Sequence, residues 1–338
     1  MTGDDFRAVL ERIQAGETLS EAESAHAFGL IMAGGVGEDD LAAFLSAQAK
    51  RGPTVAEIVG AARAMRGAMT SIEANPDAID LCGTGGDGHA TLNISTACTF
   101  VVAACGVPVA KHGNRNMSSK SGTADCLEAL GVKIELTPAE ASRCLREAGL
   151  CFLFAQTYHP AMRFVAPVRK KLGIRTIFNL LGPISSPARV RRQLIGVYDR
   201  AWCVPLAEVL GKLGADRAWV ANGDGLDELT VSGTSHVAVL DGGTVTTREV
   251  SPEEAGAGRW PLAAIRGADC AHNAAALTRL FAGERGAYRD IVLLNAAAAL
   301  IVGGKAQDLR EGAGLAAQAL DSGAAMAKLQ RLIHVSNA

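Results

Sequence analysis

The residues able to do chemistry gather in three glycine-punctuated stretches. The first, CGTGGDGHATLNIST from Cys82 to Thr96, holds four glycines, an aspartate and several hydroxyls. Glycines let backbone N–H groups approach an anion closely, and the N-terminus of a following helix adds its dipole. Ser95 and Thr96 fall at the expected helix start. With Asn93 they can cap that helix or bind phosphate oxygens. Gly83, Gly85 and Gly88 match G-x-G-x-x-G, but the dinucleotide form of that motif needs an acid roughly 20 residues later. The region in question reads VPVAKHGNR and is basic. The Walker form needs a closing Lys-Ser or Lys-Thr, which the stretch lacks. It therefore reads as a phosphate cradle of another kind, or as a tight turn with an ordinary hydroxyl cap.

The second stretch, KHGNRNMSSKSGTAD from Lys111, carries Lys111, His112, Arg115 and Lys120 among glycines and hydroxyls. Lys111 and Arg115 would neutralise phosphate charge, with Asn114 and Ser119 orienting it. The alternative is a solvated charged loop with His112 packed inside. No Cys or His stands at ligand spacing from His112, which argues against a histidine metal site. The third stretch, NGDGLDELT, sets Asp227 beside Glu228. Adjacent carboxylates point in different directions, so they do not form an acid/base pair on one bond. They suit magnesium, which usually arrives on one or two carboxylates plus substrate phosphates. A turn with solvated acids would read the same way. In QTYHPAMRFVAPVRKKLGIRT, a helix is expected from about His159, bearing Arg163, Arg169, Lys170, Lys171 and Arg175. These cations can serve the helix C-terminus, or one can fork onto a carboxylate; spacing does not say which. Together the stretches point to a magnesium-chelated pyrophosphate, and to departure of pyrophosphate or phosphate from a sugar carbon.

All three stretches need strands to present them. From Ala78 onward, short apolar runs (AIDLCG, VPVAKHG, LCFLFA, QLIGVY, RAWVANG) alternate with helical stretches such as STACTFVVAACG and AWCVPLAEVLGKLG. That alternation predicts a mainly parallel sheet flanked by helices. Ligands then sit beyond the carboxyl ends of the strands, which is where the three loops fall. SHVAVLDGGTVTTREV predicts a hairpin around Asp241-Gly242-Gly243. The chain is helical again from about His272.

Residues 1–72 read as four short helices. Phe6, Val9, Leu10 and Ile13 form one apolar stripe, and Ser20 with Glu23 and Thr54 with Glu57 form capping boxes. The fold class is thus α/β: a small all-helical N-terminal domain, 1–72, beside a larger domain, 73–338, with the helical unit completed by a segment near 165–190. Length alone agrees, since 338 residues suit two domains.

A net charge of −2 with no basic tract argues against a dedicated nucleic-acid binder. No apolar run is long enough to span a membrane, and MTGDDFRAVL is too acidic for a signal peptide. The eight cysteines, from Cys82 to Cys270, form no C-x-x-C pair and lie mostly in apolar runs. They read as buried thiols of a cytoplasmic protein.

GTGGDGHATLNIST, VAKHGNRNMSSKSGTADCLEALG, HPAMRFVAPVRKKLGIRTIFNLLGP and GLDELT, in that order, resemble the anthranilate phosphoribosyltransferase family. The resemblance extends through AAFLSAQAKRGPTVAEIVGAARAM and the C-terminal NAAAALIVGG. It implies transfer of a phosphoribosyl group from phosphoribosyl pyrophosphate to the amine of anthranilate, in tryptophan biosynthesis. By matching position, Gly83, Gly86, Asp87, Thr91, Asn93, Ser95 and Thr96 form the phosphoribosyl pyrophosphate loop. Lys111 and Ser119 would touch its phosphates, and Ser95, Asp227 and Glu228 would hold Mg2+. His112, Asn114, His159 and Arg169 would line the anthranilate path, with Arg169 facing the carboxylate. Lys111 and Arg169 are the residues implied in catalysis. The resemblance also implies a homodimer through the helical domain. Thr123 and Asn116-Met117 depart from the family's usual small residues. Two other activities share parts of this pattern: a pyrimidine nucleoside phosphorylase-like enzyme, and a non-catalytic paralogue that binds nucleic acid.

Overall fold

A computed structural model describes residues 3–115 and 122–338 of the chain. Four helices open it: α1 (Gly3–Gln14), α2 (Glu21–Met32), α3 (Glu38–Arg51) and α4 (Val55–Ala68). Both expected capping boxes form, at Ser20/Glu23 and Thr54/Glu57. Glu57 does more than cap its helix. Its fully buried carboxylate accepts from the amides of Thr54 at 2.7 Å and Leu19 at 3.1 Å, and from Arg51 Nη2 at 2.5 Å. Three donors satisfy a charge that would otherwise be costly to bury.

The larger part alternates strand and helix: β1 (Ile79–Gly83), α5 (Ile94–Ala104), β2 (Val109–Gly113), α6 (Thr123–Ala129), α7 (Pro138–Ala148) and β3 (Leu150–Phe154). An excursion follows through α8 (Ala155–Tyr158), a 3-10 turn (Pro160–Phe164), α9 (Ala166–Leu172) and α10 (Phe178–Leu181). Then come β4 (Arg192–Gly196), α11 (Cys203–Lys212), β5 (Arg217–Asn222), β6 (Ser235–Asp241) and β7 (Thr244–Val250). Four helices close the chain: α12 (Cys270–Phe281), α13 (Ala287–Val302), α14 (Leu309–Asp321) and α15 (Ala324–Asn337).

The strands form one seven-stranded sheet in the order β3-β2-β1-β4-β5-β6-β7. β1 to β5 run parallel, and the β6–β7 hairpin adds to the β5 edge antiparallel. This is the mainly parallel α/β sheet that the strand–helix alternation predicts. The chain leaves β1 toward β2 and β3, then crosses back to place β4 on β1's other side. Such reversals open a crevice at the carboxyl ends of the strands.

The helix expected from His159 is instead broken into pieces. Pro160 and Pro167 lack the N–H that a continuous helix requires, so each stands in the first turn of a new element. Arg163 and Arg169 consequently lie on different elements. Val165, Val168, Phe178 and Leu181 of this excursion pack into the same core as Phe28, Phe44 and Ile58 of the first four helices. Phe28, Phe44 and Ile58 are fully buried; each stabilises the unit by roughly 1.5–3 kcal/mol. No helix among the described residues is long and apolar enough to cross a membrane.

Candidate active site

The first and third loops meet beyond the carboxyl ends of β1 and β5, and Lys111 of β2 reaches them from beneath. The first leaves β1 through Gly85, Gly86 and Gly88, whose φ angles of 65°, 74° and 80° lie in the left-handed region that side chains disfavour. Its far end is tied down from the C-terminal helical region. Leu92 N donates to Ile265 O at 2.9 Å, Asn273 Nδ2 to Asn93 Oδ1 at 2.9 Å, and Tyr288 Oη to Asn93 O at 3.1 Å. Asn93 stands at the N-cap of α5, but its side chain does not make the expected capping bond to that helix; its Oδ1 accepts from Asn273 instead.

The third loop reaches across to the first. Asp227 Oδ2 accepts from Gly85 N at 2.7 Å, and Glu228 Oε1 accepts from Ser95 N at 3.2 Å. Neighbouring carboxylates thus diverge to opposite ends of the glycine loop. Asp87 comes close too, its Oδ2 3.5 Å from Asp227 N. Burial, reinforced by Asp87, pushes the Asp227 carboxyl up to about 7, and burial beside Asp227 pushes Glu228 up to about 8. Burial therefore disfavours the charged form of both carboxyls here. Close backbone approach makes the arrangement possible: a Cβ on Gly196 would lie 1.5 Å from Asp227 O, and one on Gly83 2.4 Å from Asp227 Oδ2.

Beneath the loop lies the buried side chain of Lys111, whose Nζ donates to Leu81 O and to Ser95 Oγ, the latter at 3.2 Å. The ammonium is one hydroxyl removed from the loop surface. Thr96 is also buried, with Oγ1 3.3 Å from Thr123 Oγ1, so the departure at Thr123 braces the start of α5. His112 and His159 are buried with their Nε2 atoms 3.2 Å apart. One nitrogen must donate and the other accept, so the pair holds complementary tautomers. Burial, the neighbouring His159 and Lys111 lower His112 to about 3, and burial lowers His159 to about 4.

Arg169, on α9, is half-buried. Its guanidinium lies 5.7 Å from the centre of the Phe178 ring, and Nη2 is 3.4 Å from Asn179 Oδ1. Burial lowers its pKa, and among the described residues no acid pairs with it. A guanidinium with no counter-ion fits an anionic ligand. Asn114 is exposed at the end of β2, and its Oδ1 accepts from Arg115 N at 2.8 Å. Arg115 departs from its expected role with phosphate. Its guanidinium is taken by Glu128, at 2.5 and 2.8 Å, and by Asp125 at 2.8 Å. Ser119, Lys120 and Asn116-Met117 lie outside the described residues.

Two positions were not singled out from sequence. Asp80 is fully buried in β1, and its Oδ1 accepts from His112 N at 3.0 Å. Burial pushes its carboxyl up to about 7 against the pull of Lys111. A lone acid inside the apolar run AIDLCG was the available signal. Arg175 donates to Gly86 O and stacks 4.1 Å from the Tyr198 ring centre, so it clasps the first loop from the excursion. It was one cation among five, with nothing local to distinguish it.

Comparison with known proteins places this geometry. A glycosyl transferase family model matches in two parts, its helical bundle domain over residues 7–69 and its a/b domain over 75–326. An anthranilate phosphoribosyltransferase of Rhodopseudomonas palustris (strain BisB18) is 54% identical, with 99% of each chain covered. The chain belongs to the anthranilate phosphoribosyltransferase family. A second anthranilate phosphoribosyltransferase, from Chelativorans sp. (strain BNC1), is 52% identical over 98% of each chain. The crystal structure of the Thermus thermophilus anthranilate phosphoribosyltransferase superposes with a TM-score of 0.93 at 42% identity, covering 97% of this chain and 99% of that one. The Saccharomyces cerevisiae anthranilate phosphoribosyltransferase, in complex with phosphoribosyl pyrophosphate and magnesium, shares the fold, with a TM-score of 0.90 at 24% identity over 99% of each chain.

The donor set fits a magnesium ion. Asp227, Glu228 and Ser95 offer hard oxygens only, and a nearby cation would favour the charged form of both carboxylates, which burial disfavours. Among the described residues no group of three or more His, Cys, Asp or Glu side chains could hold a metal.

Proposed function

We propose that the chain transfers the 5-phosphoribosyl group of phosphoribosyl pyrophosphate to the amine of anthranilate, releasing pyrophosphate, as a step of tryptophan biosynthesis. The observation that carries this reading is the carboxylate pair reaching to both ends of the glycine loop, at Gly85 and Ser95. It brings an anion cradle and a cation-seeking group to the same strand ends.

In this reading the amides from Gly83 to Asp87 and the hydroxyls of Thr91, Ser95 and Thr96, with Asn93, hold the phosphates. Ser119 belongs to the same set. Ser95, Asp227 and Glu228 hold Mg2+, which when bound neutralises charge on the departing pyrophosphate. Lys111 adds fixed positive charge beneath Ser95, preorganised by burial. Arg169 orients the anthranilate carboxylate, with His112, His159 and Asn114 lining its path. The bond from the anomeric carbon to the pyrophosphate oxygen breaks, and its electron pair leaves with pyrophosphate. The neutral amine then supplies the pair for the new N–C bond and sheds one proton to solvent. Positioning is the main contribution to that second half, and no side chain is assigned as its base.

The reading includes a homodimer through the helical domain. Phe164 and Ile174, exposed on the excursion that packs against that domain, support it, and sedimentation equilibrium tests it. For the activity, purified protein given anthranilate, phosphoribosyl pyrophosphate and magnesium should consume anthranilate fluorescence and release pyrophosphate, and chelation should stop it. Release of base from thymidine or uridine with inorganic phosphate would support the phosphorylase reading instead. Silence in both assays, with salt-sensitive binding to DNA or RNA, would support the nucleic-acid reading.

A further inference from the structure

A second cationic site lies at the other end of the sheet. A groove of about 420 Å3 is lined by Arg63, Arg66, Arg189 and Lys212 with Leu213 and two glycines. Residue 189 shortly precedes β4, and Lys212–Gly214 shortly precede β5, so the groove opens at the amino ends of those strands. The loops of the candidate active site leave the carboxyl ends.

Part of the cluster is structural. Helices α4 and α11 both end here, and Arg66 serves their surroundings, with Nε donating to Ile184 O at 2.9 Å and Nη1 to Leu213 O at 3.4 Å. Arg189 Nη2 donates to Arg66 O at 3.2 Å, and its Nε lies 3.3 Å from Ser71 Oγ. Arg189 holds this position with a φ of 48°, a conformation disfavoured for a side chain of its size. Arg63 is neutralised by Glu21.

What these contacts leave over is charge. Among the described residues Arg66, Arg189 and Lys212 form no ion pair with any acid. Arg66 is half-buried, and burial with the nearby Arg189 lowers it to about 10, with no acid acting in the other direction. Three like charges, Arg66 half-buried and Arg189 and Lys212 exposed, line one concavity with no acidic partner among the described residues. Guanidinium forks match phosphate oxygens closely. The chain's net charge of −2 and the acid Glu21, paired with the lining Arg63, favour a compact ligand over an extended polyanion.

We propose that this groove is a second anion site, in which Arg66, Arg189 and Lys212 bind a compact, multiply charged phosphate-class ligand. The site joins α4 of the helical domain, the segment before β4 and α11 of the larger domain. A bound anion therefore ties the two domains together.

The test is calorimetric titration of the full chain with inorganic tripolyphosphate in EDTA, so that no divalent ion assists binding at the strand-end loops. Wild type should bind. Lys212→Glu, which supplies an internal counter-ion at an exposed position, should weaken binding by roughly tenfold or more, as expected for a lost charge-assisted contact. It should also raise Tm without any anion, which a groove of no electrostatic consequence would not do. Lys111→Met, at the strand-end site, should leave tripolyphosphate binding intact. Arg189→Asn, chosen because asparagine tolerates positive φ, should weaken binding as Lys212→Glu does. Three outcomes would overturn the proposal: no binding at millimolar tripolyphosphate, loss of binding in Lys111→Met but not in Lys212→Glu, or an oligonucleotide binding at the groove more tightly than tripolyphosphate.

Discussion

Asp227 Oδ2 accepts a hydrogen bond from the amide of Gly85, 142 residues earlier in the chain, at 2.7 Å. With Glu228 on the amide of Ser95, two donors of the anion cradle are held by carboxylates. Asp227 and Glu228 would hold the cation, and the Gly85 and Ser95 amides they now accept from would be donors for phosphate. Changing Asp227 and Glu228 together to alanine should abolish the magnesium response of turnover and most of the activity. A double variant with near-normal rate and an unchanged magnesium titration would remove the pair from the mechanism.

Gly196 lies under the same loop, where an added Cβ would sit 1.5 Å from the Asp227 carbonyl oxygen. Gly196→Ala must displace the Asp227 backbone, because backbone cannot yield as a flexible side chain does. We expect loss of activity well beyond the loss of folded protein. Circular dichroism and magnesium-dependent turnover, measured on one preparation, separate the two.

Arg169→Ala should raise the KM for anthranilate far more than that for phosphoribosyl pyrophosphate. Loss of a charge-assisted hydrogen bond corresponds to roughly 1.5–3 kcal/mol. If the anthranilate KM does not move, the carboxylate contact belongs to a neighbour such as Arg163 or Arg175.

The His112–His159 pair makes stability depend on pH. Folding lowers both groups, to about 3 and about 4, while the unfolded chain binds protons below about 6.5. Between those limits the unfolded state holds more protons, so the pair's contribution is present near pH 7 and lost as pH falls toward 4. Asp80, raised to about 7, acts in the opposite sense: its contribution is present below about 4 and lost as pH rises toward 7. The net curve therefore hides the pair, but a difference curve exposes it. His159→Asn should flatten the acid-side slope of stability between about pH 4 and 6.5 relative to wild type. Superimposable slopes in urea unfolding across that range would show that the imidazoles are not held neutral.

Local chemistry was readable wherever the responsible residues are neighbours in sequence. Ser20 with Glu23 and Thr54 with Glu57 form their caps because a capping box is closed within one helical turn. Gly242 and Gly243 turn the hairpin, and the strand–helix alternation that predicts a parallel sheet follows from periodicity over a few residues. The glycine run from Gly83 announced an anion cradle for the same reason.

Pairings between distant residues were not readable in that way. Nothing local says that Glu228 meets Ser95, that Arg115 turns to Glu128, or that Arg175 rather than Lys170 clasps Gly86. Asp80 looked like an odd acid in an apolar strand until the sheet set it against the His112 amide. Which elements form and which loops carry charge could be read from the order of residues, since both depend on short-range sterics, hydrogen bonds and periodicity. Which charges are spent on one another and which remain for a ligand emerged only in the folded chain, because that depends on strand order and on pairings between residues from 13 to 133 positions apart.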